Sequence, residues 1–149
     1  MTYVKKTDIP YFTDCESLVN GLGYRLVNLS AVKQKAGWQI QAVVYSEKGV
    51  GIDDCSKVHR ALLPRLEALL NSQDVSLQVS SPGINRNIKS TIEFAAFIGE
   101  AIAVWSAEIS DWREGTLADT TEEAITIETK EGMAAISYAD IKKAKLNKM

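Results

Sequence analysis

At 149 residues the chain has room for one average domain or two small ones, and 46% hydrophobic with 24% charged residues is an ordinary globular balance. No run approaches the roughly 18 apolar residues of a membrane span. The start, Met-Thr-Tyr-Val-Lys-Lys-Thr-Asp, lacks the apolar stretch of an export signal, so a cytoplasmic protein is expected. Cys15 and Cys55 have neither the number nor the spacing of a disulfide framework and are expected as reduced thiols.

The first helix signal is Thr13-Asp14-Cys15-Glu16, a capping box ahead of Leu18, Val19 and Leu22. Gly21 and Gly23 end that helix, with Gly23 placed for a left-handed cap. Tyr24 to Val32 and Trp38 to Tyr45 read as strands joined through Gln34-Lys35-Ala36-Gly37. In the first, Leu26, Asn28 and Ser30 alternate against Arg25, Val27 and Leu29. Asp53 or Asp54 then caps a helix reaching about Leu70, whose Cys55, Val58, Leu62, Leu66 and Leu69 form an apolar stripe. Pro64 inside it predicts a kink. Val75 to Val79 is a third strand, giving an α-β-β-α-β front half, a small sheet with helices on one face.

After Gly83 the pattern changes. Thr91 to Ile98 reads as a short helix, followed by strands at 100–106, 115–119, 124–128, 134–137 and 143–146. So many short strands in so little chain predict a small β-barrel. The expected domains are residues 1–83 and 84–149, with a hinge near 81–89 where Ser81-Pro82-Gly83 ends the strand.

Charge is unevenly spread. Residues 1–87 carry ten basic and eight acidic side chains, residues 88–141 three basic and eleven acidic, and the end adds Lys142, Lys143, Lys145 and Lys148. A mildly basic front, an acidic back and a basic tail follow. Trp38, Trp105 and Trp112 are expected in the core for the most part, with Trp112, between Asp111 and Arg113, looking exposed.

Cys55 and His59 lie four apart on one helix, the spacing of a thiolate nucleophile and its base. The place of Cys55 in the apolar stripe favours an inert thiol instead. Asp53, Asp54, Cys55 and His59 fall short of a four-ligand zinc set, and no phosphate-loop or calcium-loop spacing occurs, so neither metal nor cofactor is expected. One of Asp53 and Asp54 serves the helix dipole, which leaves the other for a partner. Ser80, Ser81, Pro82 and Gly83 with Arg86 place hydroxyls, a glycine backbone and a guanidinium together, a combination suited to a phosphate or carboxylate.

Three segments then become specific: Gly51-Ile52-Asp53-Asp54-Cys55, Val58-His59-Arg60-Ala61-Leu62, and Leu77-Gln78-Val79-Ser80-Ser81-Pro82-Gly83-Ile84-Asn85-Arg86. Together with Ile141 to Leu146 they closely resemble the signature of the bacterial ribosome maturation factor RimP family. The resemblance implies an α/β domain followed by an SH3-like, Sm-like barrel, and a non-catalytic factor for maturation of the small (30S) subunit. It implies as partners the immature small subunit and a basic small-subunit ribosomal protein near the decoding centre; a contact with 16S ribosomal RNA is expected from the charge of the front half. No enzyme activity and no membrane are implied, and a monomer is expected. Two departures stand out: the family carries Ser at the place of His59, and Asp-Arg-Pro-Leu at the place of Asn85-Arg86-Asn87-Ile88, which is expected to loosen the hinge.

The expected partner-binding residues are Asp53, Asp54, Arg60, Ser80, Ser81, Pro82, Gly83 and Arg86. The acidic back half is expected to repel RNA and attract a cationic protein, while the front half, with Lys33, Lys35, Arg60, Arg65 and Arg86, faces RNA. The alternatives are a regulatory RNA-binding protein of Sm type and a thiol enzyme built on Cys55 and His59.

Overall fold

Phe12, and not the Thr13 capping box, begins the first helix. The computed structural model describes residues 1–148, and in it α1 spans Phe12–Gly21. Tyr11 precedes it in the left-handed region at φ 66°, with no side-chain cap. Phe12, Cys15 and Val19 are all fully buried at helical spacing, so burying the Phe12 ring outweighs the modest gain of a cap. The C-terminus behaves as the glycines predict. Gly23, at φ 94°, donates to the Asn20 carbonyl (3.0 Å), and Tyr24 donates to that of Val19 (3.2 Å). These are the two bonds of a Schellman motif.

Strands β1 (Arg25–Gln34) and β2 (Gly37–Tyr45) pair antiparallel across a two-residue turn, and β3 (Val75–Ser80) runs parallel to β2, in the order β1-β2-β3. The simple alternation expected in β1 is broken by a register shift between Leu26 and Asn28. The extra residue lets Leu26 and Val27 both be buried. Gly37 is required twice over: its φ is 125°, and a Cβ there would run into the Asp74 carbonyl oxygen. That oxygen accepts from the Trp38 N–H at 2.7 Å, tying the starts of β2 and β3 together.

Helix α2 (Ile52–Leu70) is capped by Gly51, just ahead of the expected cap at Asp53 or Asp54. Val58, Leu62 and Leu66 are fully buried, a stabilisation of about 1.5–3 kcal/mol each. Cys55 and Leu69, at the ends of the stripe, are only half-buried. The helix runs through Pro64, whose missing N–H leaves the carbonyl four residues back without its usual donor.

The chain divides into two compact units, Lys5–Pro82 and Met1–Val4 with Gly83 onward. Gly83 sits at φ 74°, where a side chain would be strained. The first four residues thus join the later unit, unlike the expected 1–83. Tyr3 stacks on Tyr138 (centroids 5.8 Å apart), and the Val4 N–H donates to Thr91 Oγ1 at 2.8 Å. Nothing in their local pattern announces these distant partners.

In this second unit, β4 (Ala101–Ser106), β5 (Asp111–Thr120), β6 (Ala124–Thr129), β7 (Gly132–Ser137) and β8 (Ile141–Leu146) form an antiparallel sheet ordered β7-β6-β5-β4-β8. Residues 84–88 run beside β8: the Ile88 N–H donates to Ala144 and the Leu146 N–H to the Arg86 carbonyl, both at 2.8 Å. Most of the segment expected to be a hinge therefore belongs to the sheet unit. The expected helix at Thr91–Ile98 is a 3-10 helix over Thr91–Phe97, buried at six of its seven residues. It adds Phe94 and Phe97 to a core of Ile102, Val104, Leu117, Ile125, Ile127, Ile136, Ile141 and Leu146.

Candidate functional site

The first unit has a groove of about 700 Å³ between the N-terminal half of α2 and the end of β3. Its lining includes Ile52, Cys55, Ser56, His59 and Arg60 from α2, and Val79 and Ser81 from the end of β3. The helical period places Cys55, Ser56, His59 and Arg60 on one side of the helix. Opposite them, Val79 projects from β3, and Ser81 follows where the strand ends. Ile52, 85% exposed, stands at the mouth.

The Cys55–His59 pair does not have the arrangement of an activated thiol. Burial first, and then the charge of Asp54, push the Cys55 thiol up, away from the thiolate a nucleophile needs. His59 directs Nε2 to the Leu77 carbonyl at 3.1 Å, donating in the tautomer that carries the proton there. The imidazole thus ties α2 to β3. Among the described residues, no group of three His, Cys, Asp or Glu side chains is placed to hold a metal ion.

The two aspartates divide as their chemistry predicts. Asp54 Oδ2 accepts from the Gly51 N–H at 2.8 Å, and Oδ1 accepts from the Tyr24 hydroxyl. The Tyr24 bond, with that of Gly51 second, holds the Asp54 carboxyl below its ordinary range, and the same bond raises the Tyr24 phenol. Asp54 is therefore committed to the start of α2, while Asp53 is exposed on the first turn.

Arg86 corrects the expected anion cradle. Its Nε donates to Glu93 Oε1 at 2.6 Å, and Glu93, 0% exposed, also accepts from the Lys89 N–H at 3.3 Å. A fully buried carboxylate needs a charged partner, and the guanidinium supplies it. Arg86 and Gly83 belong to the second unit, and Asp53, Asp54, Arg60, Ser80, Ser81 and Pro82 to the first. Of the eight expected residues, the groove brings together Arg60 and Ser81. Sequence reasoning missed Glu93, because a carboxylate within Thr91-Ile92-Glu93-Phe94 reads as the polar side of a short helix. It also missed Ile52 and Val79, whose apolar character passes for core.

A second correction concerns charge. The lysines of the basic tail lie on a strand, as expected for 143–146, and so count with the acidic strands: Lys142, Lys143 and Lys145 belong to β8, at the end of the sheet order. With them the second unit carries eight basic and eleven acidic side chains, a far smaller excess than residues 88–141 alone suggest.

Residues 14–85 match the model of the RimP N-terminal domain. The chain is 30% identical over 132 residues to the ribosome maturation factor RimP of Borrelia hermsii, covering 89% of this chain and 90% of that one. It is 32% identical over 126 residues to the corresponding factor of Borrelia recurrentis, covering 85% and 86%. The chain belongs to the RimP family of ribosome maturation factors. The RimP N-terminal match spans α1 to β3, so it contains the whole groove and ends just past Gly83. The similarity to the two Borrelia factors covers most of both chains, so it extends beyond the N-terminal domain into the second unit.

Proposed function

We propose that the chain is a non-catalytic adaptor in maturation of the small (30S) ribosomal subunit. Its second unit, whose five strands we take to curve into an SH3-like, Sm-like barrel, receives a basic small-subunit ribosomal protein near the decoding centre. The first unit, through the α2–β3 groove, rests on the immature subunit and its 16S RNA. In this reading Asp53, Arg60, Ser80 and Ser81 meet partners directly. Asp54 orders the helix start, Pro82 and Gly83 form the joint, and Arg86 anchors the chain beyond it.

The observation that carries this reading is the acidic end of the sheet. Between Asp111 and Ser137 there are seven carboxylates (Asp111, Glu114, Asp119, Glu122, Glu123, Glu128 and Glu131), all exposed, against Arg113 and Lys130. A field of one sign speeds encounter with a cationic protein and favours its docking. The relatives' name, ribosome maturation factor, supplies the setting.

The test uses the full chain and a purified basic small-subunit ribosomal protein. Glu122→Lys with Glu123→Lys is expected to slow association about tenfold at low salt, with the difference shrinking as salt screens it. Equal association at all salt concentrations would count against the acidic end as the receiving surface. Loss of the factor is expected to leave immature small subunits and unprocessed 16S RNA in sedimentation profiles.

A further inference from the structure

We propose that the face of the second unit's sheet bearing Trp105, Trp112, Lys143 and Lys145 is a binding site for single-stranded RNA. Directly opposed residues in antiparallel strands share a face. The register sets Trp112 of β5 opposite Trp105 of β4, and Trp105 opposite Lys143 of β8. Two residues along, on the same face, Ala103 pairs with Lys145 on one side and Glu114 on the other. The small Ala103 side chain lets Lys145 reach across, and its Nζ lies 5.1 Å from the Trp112 ring centroid. The Trp105 and Trp112 rings meet edge to face at 5.9 Å and 80°.

This pair is not wholly core. Trp112 is 39% exposed, the most exposed aromatic side chain among the described residues, with Tyr3 next at 37%. A register shift adds to the cluster. Trp105 pairs with Lys143 but Ser106 pairs with Ile141, so Lys142 is the extra residue. The bulge leaves the consecutive lysines Lys142 and Lys143 both exposed, where strict alternation would bury one. Among the described residues, none of Lys142, Lys143 and Lys145 forms an ion pair with a carboxylate.

An exposed indole with the Lys145 ammonium over it, and the exposed Lys142 and Lys143 on the same sheet, matches a nucleotide, whose base stacks while its phosphate is neutralised beside it. An acidic peptide would answer the lysines but leave the ring unused, and a double helix has its base faces already stacked. Glu114 marks where the basic patch ends and the acidic strands begin. One sheet thus carries two surfaces, acidic on β5–β7 and basic-aromatic across β8, β4 and the start of β5. The proposal goes beyond the adaptor reading and does not rest on it, since its test contains neither ribosomal protein nor subunit.

The test is fluorescence anisotropy of 5′-labelled decauridine titrated with the full chain across a salt series. The parent is expected to bind, Trp112→Ala to bind roughly tenfold more weakly, and Trp112→Phe to retain most affinity. Lys142→Ala with Lys143→Ala is expected to lower the slope of log affinity against log salt by about 1. These lysines are exposed and their loss does not disturb the core, so this variant decides the matter even if Trp112→Ala fails to fold. No binding by the parent would overturn the proposal, as would a lysine variant that matches the parent in affinity and slope together with a Trp112→Ala variant that matches it in affinity. Displacement of the oligonucleotide by polyglutamate together with an unaffected Trp112→Ala would overturn it in favour of an acidic protein partner.

Discussion

Arg86 shows how a conspicuous charge in a signature segment acts inward. Its side chain is 19% exposed, and its guanidinium neutralises Glu93, whose side chain has no exposure at all. Removing the cation alone strands a carboxylate in the core, whereas removing both charges removes the need for either. Arg86→Ala is therefore expected to cost about 3 kcal/mol or more in urea denaturation. Arg86→Met with Glu93→Leu should recover most of that loss. If Arg86→Ala unfolds at the same urea concentration as the parent, the ion pair is not what holds this segment. Cys15 gives the converse case, a group that is buried and inert. Burial raises its thiol to about 11, with Asp14 adding to the shift, so it remains protonated at neutral pH.

At the scale of elements, the joint between the start of α2 and the residue before β1 is sensitive to pH at both ends of the range. Asp54 is held below, and Tyr24 above, its ordinary range by the bond they share. A lowered carboxyl contributes stability that is present above its unfolded value, near 4, and lost as pH falls through the folded one. A raised phenol contributes stability that is present below its unfolded value, near 10, and lost as pH rises through the folded one. Tyr24→Phe is thus expected to lower the melting temperature most between about pH 5 and 9, with the gap closing toward both extremes. A difference that stays constant from pH 3 to 11 would assign the effect to packing. Much of this element level was legible in the sequence: among the described residues both α-helices, the Schellman end and the existence of eight strands follow from periodicity and glycine placement, although β5 begins at Asp111 and not at the expected Gly115. What was not legible lay where tertiary burial competes with a local signal. Phe12 displaced the Thr13 cap, bulges in β1 and β8 broke the period of two, and Gly51 with Asp54 moved the start of α2. The candidate site was legible in part, because residue types reveal that Arg60 and Ser81 are available but not that Arg86 is already taken.

For the whole molecule, the sequence order of the chain and its spatial division differ at one end. Residues 1–4 precede α1 in the chain, yet their partners are Thr91 and Tyr138, about 90 and 135 residues away. The Tyr3 ring is 37% exposed and lies nearly parallel to Tyr138, which in turn stacks on Phe94 at 6.1 Å. Tyr138 also donates its hydroxyl to the Thr121 carbonyl at 2.7 Å. The strap therefore supports a ring that joins the 3-10 helix to the β5–β6 turn, and burial raises the Tyr138 phenol to about 12. Contacts of this kind act on one unit and leave the other alone, because independent sites add and shared ones couple. Tyr3→Ala is accordingly expected to destabilise the sheet unit by about 1 kcal/mol, the worth of a stacked aromatic pair. Native-state hydrogen exchange reads both units in one experiment. Amides of β6–β8 should exchange about five times faster in the variant, while those of β1–β3 keep their rates. Faster exchange in β1–β3 as well would mean that the first four residues support Lys5–Pro82 too, and that the division at Val4 is not an energetic one.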